Sequence, residues 1–288
     1  RQIGFAIYRT QEMVDLVEWM RAYNLQAAPG QQIHFYGFDM QRYDNNIRGL
    51  LAYIHQVDPE RVEQYRAALA DLNDATVFDQ SQDKVAAGLA AIQTIRAEMA
   101  QAQARYVAAS SAAAFNLADQ FALSIEQNAT LHGTDSNYSE LRDQYMAEKV
   151  AWIMTYEQAQ GREQVLITGH DGHIEKSAAA EMYRSMGSRL AEKFGSQYFA
   201  IGTDFYESTF LCRDSASGER VAFTVKNNNA LNQAFLAAGA EQAYLDLDMA
   251  TQSPVLNKLV TAKQPMSNIG DEFNNLSAWF KPLYTLSM

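Results

Sequence analysis

The stretch VLITGHDGHIEK, residues 165–176, places two of the chain's five histidines, His170 and His173, three positions apart around an aspartate, Asp171. An apolar run, Val165 to Ile167, leads into it, and Gly169 and Gly172 flank the first histidine. A neutral imidazole titrates near neutral pH, so such a ring can take a proton from water and return it to a leaving group. A second reading places a divalent metal on the two imidazoles, with an oxygen from Asp39 or Asp171. The zincin arrangement does not fit. It needs histidines four apart on a helix with a glutamate beside the first, and here the spacing is three. The two glycines also argue against helix in the loop. A lone histidine would read as a polar residue finishing a loop. A pair among glycines, after an apolar strand, reads as functional, because α/β sheets collect ligands beyond the carboxyl ends of their strands.

Arg142 is the second group with chemistry to offer. It sits in SELRDQYMAEKVAWI, within a helix expected over 139–160 that feeds the histidine strand. Arg142, Met146, Lys149 and Ile153 recur at spacings of three and four and share one face. That face mixes charge with apolar side chains, which directs Arg142 towards a polar cleft. The plainer alternative is an exposed ion pair with Asp143 or Glu148, worth little. QIHFYGFDM, alternating and aromatic-rich, reads as a strand ending near Gly37, with Asp39 just past its end, and Asp171 follows a strand in the same way. Both carboxylates are therefore expected to bind substrate, and Asp39, Arg142, His170 and His173 are expected to line one cleft.

The elements that would hold these groups alternate between helix and strand. TQEMVDLVEWMRAY, from residue 10, carries Met13, Leu16, Val17 and Met20 at helical spacing behind a Thr10 cap, and Pro29-Gly30 breaks the chain after it. Asp58-Pro59-Glu60 is a helix start, with cap, proline and acid in order. Residues 81–128 are rich in alanine and glutamine and free of proline, and read as long helices in an antiparallel pair. Strands are expected at 163–168, 197–203, 219–225 and AYLDLD (243–248), with helices at 178–194 and 230–238. The pattern predicts a single α/β domain across residues 1–288: a mainly parallel sheet flanked by helices, with residues 58–133 a helical insertion acting as wall or lid.

Composition narrows the function. A formal charge of −11 argues against a nucleic-acid surface and against anionic membranes. No apolar run approaches the roughly 20 residues that span a bilayer. Cys212 is the sole cysteine, so an intrachain disulfide is excluded, and the expected location is the cytoplasm.

Five segments in order, LVEWMRAYN, FYGFDMQ, LRDQYMAEKVAWI, GHDGHI and MGSRLAEKFGSQYFAIGTDFYEST, resemble the erythromycin esterase family. Its members are hydrolases related to macrolide-resistance esterases and to succinoglycan-biosynthesis-like proteins. The resemblance implies an α/β sheet with a helical insertion over the cleft. It also implies that a histidine-activated water opens an ester, such as the lactone of a macrolide, with no obligatory cofactor. The family's HNxH loop and the arginine of its RD helix fall on His170, His173 and Arg142. His170 would then orient or activate water, and Arg142 would steady the oxyanion. Asp171 and Lys149 depart from the pattern, which commonly has asparagine at both.

The family's upstream GExTHG-like loop, source of its principal base, has no counterpart here. LHGT at 131–134 follows helix rather than strand and does not replace it. The resemblance therefore implies that a further N-terminal segment partners this chain and that residues 1–288 alone are a poor catalyst. Two other readings are a metal-dependent hydrolase built on His170 and His173, and a binding protein that keeps the cleft without the chemistry.

Overall fold

The computed structural model describes residues 8–134, 136–177, 182–239, 241–266, 269–270, 272–274, 276 and 283–284. The chain divides into two compact units, residues 1–165 and 166–288.

The first unit is built on helices. Helix α1 (Gln11–Gln26) begins where expected, with the Met13 N–H donating to Thr10 Oγ1 at 3.3 Å. Residues 31–40 then join neither helix nor ladder. Asn24 fastens them to α1: its amide donates to the Ile33 carbonyl (2.8 Å) and accepts from the Ile33 N–H (2.7 Å). Next come α2 (Asp44–Val57), a 3₁₀ turn (Pro59–Arg61), α3 (Val62–Ala68), α4 (Gln82–Gln101), α5 (Gln103–Ala109), α6 (Ala112–His132) and α7 (Tyr138–Gln158). Within 58–133 the chain forms the 3₁₀ turn and α3 to α6, with turns over 69–81 between α3 and α4.

The core of this unit lies between α2, α3, α4 and α6. Val85, Ile92, Ile95 and Met99 recur every three to seven residues along α4 and are buried. Ile92, Ile95 and Met99 meet Leu50 and Ile54 from α2 and Ala118, Ala122, Ile125 and Ala129 from α6. Two glycines let the helices approach closely. A Cβ on Gly49 would lie 2.6 Å from the Phe121 ring, and one on Gly88 would lie 2.5 Å from Leu72. At its far end α7 anchors the segment 31–40, because the buried Glu157 carboxylate accepts from Arg162 Nε and the Tyr36 hydroxyl and pairs with His34 Nδ1 at 3.1 Å. These partners outweigh burial and hold the Glu157 carboxyl below its ordinary range.

The second unit holds α8 (Asp171–Ile174), α9 (Met186–Phe194), a 3₁₀ turn (Gly195–Gln197), β1 (Glu207–Asp214), β2 (Arg220–Lys226), α10 (Ala230–Ala237), α11 (Leu247–Thr251), α12 (Pro254–Val260), β3 (Gln264–Pro265), β4 (Glu272–Phe273) and β5 (Leu283–Tyr284). β1 and β2 form an antiparallel hairpin in which Phe210 faces Phe223. β4 adds in parallel to β1, giving the order β2-β1-β4. Phe273 packs edge-on against Phe210 and Phe223, with centroids 5.3 and 5.2 Å apart, and Cys212 and Val225 complete the small core. β3 and β5 form a separate antiparallel pair.

A mainly parallel sheet is not what the described residues form. Of the strands expected from sequence, 219–225 is realised as β2, while those in QIHFYGFDM (32–40), 163–168, 197–203 and 243–248 join no ladder among the described residues; Gln197 closes a 3₁₀ turn, and Leu247 and Asp248 open α11. Alternation and β-branched or aromatic content favour an extended backbone locally, but a ladder also needs a partner with matching donors and acceptors. The expected helix at 178–194 begins at Met186, and residues 178–181 lie outside the described set. No helix among the described residues is long and apolar enough to cross a membrane.

Candidate active site

The histidine loop contains one turn of helix, α8, against expectation. Gly172 is its second residue, where the helical cost of glycine, about 1 kcal/mol, is offset by a cap. His170 supplies that cap: its Nδ1 accepts from the Gly172 N–H at 3.1 Å. On the other side of the ring, Nε2 lies 3.2 Å from the Ile269 carbonyl and donates to it. An Nδ1 that accepts and an Nε2 that donates define the neutral Nε2–H tautomer. The His173 ring stands 6.4 Å from the His170 ring, centroid to centroid, and near perpendicular to it.

Asp171, half-buried, accepts from the Thr203 N–H through Oδ2 at 3.1 Å. Burial raises its carboxyl above the ordinary range. Asp204 adds to the rise, while the Thr203 N–H opposes it. The loop's exit is pinned as well, since the Ile174 carbonyl accepts from the Tyr198 hydroxyl (2.6 Å) and the Glu175 carbonyl from Ser185 Oγ (2.8 Å). Burial pushes the Tyr198 phenol up to about 12.

Asp204 is a residue that the spacing arguments missed. One oxygen accepts from Asn227 Nδ2 (2.8 Å) and the Phe205 N–H (2.8 Å), the other from Asn229 Nδ2 (3.0 Å) and Asn232 Nδ2 (2.9 Å). The three asparagines are buried, and Asn229 also caps α10. The signal was present in KNNNALN, where asparagines crowd a helix start, but their common acceptor lies more than 20 residues upstream.

In the first unit the structure joins Asp39 to Arg142. Arg142 Nε donates to Asp39 Oδ1 at 3.2 Å and Nη2 to Oδ2 at 2.7 Å, with the two side chains 21% and 23% exposed. The arginine therefore does not stand in the exposed pair that residue type alone suggested. Gln41 Nε2 donates to the Tyr138 hydroxyl at 2.7 Å, one turn before Arg142 on α7. Met146, Lys149 and Ile153, predicted to share the arginine's face, are all buried.

Lys149 donates to the Gln120 carbonyl (3.1 Å) and to Gln120 Oε1 (2.6 Å) on α6. Desolvation, helped by Arg96 and opposed by Asp119, lowers the ammonium to about 8. The unfolded chain holds this proton up to the model-peptide value near 10.4, so Lys149 costs stability below pH 8, and that cost fades as pH rises towards 10. Lys149→Met is accordingly expected to gain about 1 kcal/mol at pH 7, after allowance for the two acceptors left behind, with the gain shrinking by pH 10. Thermal unfolding across that range checks it, and an equal shift at both pH values would contradict the assignment.

Among the described residues no three histidine, cysteine or acidic side chains gather as a metal donor set. The metal-dependent reading gains no donor set from them.

No curated protein matches the chain. Solved structures do. A protein from Bacillus cereus superposes with a TM-score of 0.80 at 21% identity, over 98% of this chain and 70% of that one. A protein described as a succinoglycan biosynthesis protein gives 0.78 at 18% identity, over 98% and 68%. A single-site variant of the erythromycin esterase EreC in its open conformation gives 0.59 at 15% identity, over 78% and 62%. At these identities the likeness is one of fold. The family pattern described as Erythromycin esterase matches residues 1–282, nearly the whole sequence, and by that match the chain belongs to the erythromycin esterase family.

Proposed function

We propose that this protein is a carboxylic ester hydrolase that opens a macrolide lactone, or a related ester, with a histidine-activated water. The family match over residues 1–282 is the observation that carries the reading. The loop around His170 supports it, because a capped turn with pinned carbonyls is a rigid mount for proton-transfer groups. In this reading His170 orients the loop and His173 exchanges protons. Asp39 holds the Arg142 guanidinium in one bidentate geometry, so that its positive charge is preorganised for a developing oxyanion. Asp39 and Asp171 are the carboxylates expected to bind substrate.

The test compares residues 1–288 with the complete product of the reading frame that encodes them, each incubated with erythromycin and with a panel of simple esters. The hydrolase reading expects the complete product to add one water to at least one substrate, by mass. Tight binding of a macrolide without turnover would replace the hydrolase by a binding protein.

A further inference from the structure

The arrangement around α8 leaves the loop's histidine cap with little freedom and its aspartate with more. Both His170 nitrogens are engaged, Nδ1 by the Gly172 N–H and Nε2 by the Ile269 carbonyl. To collect a proton at Nδ1 the ring would have to release the cap that forms the turn. Asp171 has one oxygen on the Thr203 N–H, and its other oxygen takes no hydrogen bond among the described residues. We propose that Asp171 is the acid of this loop: its carboxyl passes a proton to the alcohol that leaves the ester, and Asp204 is the positioning residue that fixes the segment holding it.

The inference rests on the hydrolase reading and deepens it. The charge in the neighbourhood supports it. From its own turn Asp171 faces His170, and from the segment packed against that turn it faces Asp204. Asp204 is held by four N–H donors, three of them from buried asparagines. Partial burial disfavours the charged form of Asp171 first, and the carboxylate fixed in this way adds a smaller push in the same direction. The same knot fixes Phe205, and with it the Thr203 N–H two residues away that holds Asp171 Oδ2. Asparagine at this position could accept from Thr203 but could not give up a proton. The step balances simply. As the carbonyl carbon–alkoxy bond breaks, the alkoxy oxygen keeps the electron pair and takes the proton from Asp171. The proton lost by the attacking water rests on the base, and exchange through solvent restores Asp171.

Two measurements test this, and they fail separately. Carbon-detected NMR of residues 1–288, with Asp171→Asn identifying the resonance, follows the Asp171 carboxyl against pH in the wild type and in Asp204→Asn. The proposal expects titration above the ordinary aspartate value, about 3.9, and a fall of that value in Asp204→Asn. Titration at or below the ordinary value, unaffected by Asp204→Asn, would overturn it even if no ester were ever hydrolysed. Asp171→Asn in the complete product is then assayed on an alkyl ester, whose alcohol needs a proton to leave, and on an aryl ester, whose phenolate does not. The expected loss in kcat for the alkyl ester is about 10²- to 10⁴-fold and at least tenfold greater than for the aryl ester, with KM little changed and the basic limb of the pH profile removed. Equal losses on both esters would make Asp171 merely structural.

Discussion

Arg142→Met is expected to destabilise the first unit by about 2–3 kcal/mol and to lower kcat by about 10²- to 10³-fold. The stability loss follows from what remains. Asp39 loses both guanidinium donors, retains only the Gln41 N–H at 3.3 Å and sits less than a quarter exposed. Removing one partner of such a pair costs more than the pair contributes, because the other is left charged and poorly solvated. Partial exposure keeps the figure below that of a fully buried pair. Asp39→Asn combined with Arg142→Met should therefore recover much of the stability but none of the rate. Arg142→Lys should keep the charge and lose the two-point geometry, and so land between wild type and Arg142→Met. Chemical denaturation and steady-state kinetics of the wild type, these three variants and the Asp39→Asn single variant check this. If the double variant is as unstable as the sum of its parts, the pair is not coupled as described.

Gly187→Ala is the second large effect. Gly187 is buried near the start of α9, and a Cβ there would lie 2.2 Å from the Ile174 carbonyl oxygen, 2.3 Å from that of Glu175 and 2.4 Å from the Ile174 carbonyl carbon. All three are backbone atoms at the exit of the histidine loop. Neither carbonyl can turn aside cheaply, since the Tyr198 hydroxyl holds one and Ser185 Oγ the other. Either α9 or the loop must move. Overpacking of this kind costs about 1–3 kcal/mol, and a displacement of about 1 Å in the loop costs about 10²-fold in rate. A further readout is the Tyr198 phenol, held up at about 12 by burial, which should titrate lower once the contact opens. Wild-type melting, rate and Tyr198 titration in Gly187→Ala would show that the packing of α9 on the loop is not tight.

The helices of this fold were largely legible in the sequence, because their signals are local. The Thr10 cap, the stripe through Val85, Ile92 and Met99, and the run of α7 all appear where composition and period place them. α2 was legible but missed. Ile47, Leu50, Leu51 and Ile54 follow the helical period, but Asn45, Asn46 and Gly49 weaken the propensity of its first turns, and Gly49 is there for the Phe121 ring rather than for the helix. The strands fared worse for a physical reason. Residues 32–37 and 197–203 carry the alternation of a strand, but pairing is set by a partner elsewhere, and no local window contains it.

The candidate site divides along the same line. His170, Asp171 and Arg142 stood out by type and placement. Their partners did not, because Ile269 is 99 residues from His170, Asp39 is 103 from Arg142 and Thr203 is 32 from Asp171. Asp204 shows the cost of this most clearly. As one acid among many it was invisible, and it acquires a role only when three asparagines are seen to converge on it.

Mass-resolved hydrolysis of erythromycin and of the ester panel by the complete reading-frame product, set beside the Arg142→Met variant of that product, tests the hydrolase reading most directly. The account predicts that one substrate gains one water with steady turnover, and that the variant loses about 10²- to 10³-fold of that rate. Unchanged substrates with a folded, monodisperse wild-type protein, or equal turnover by wild type and variant, would contradict it.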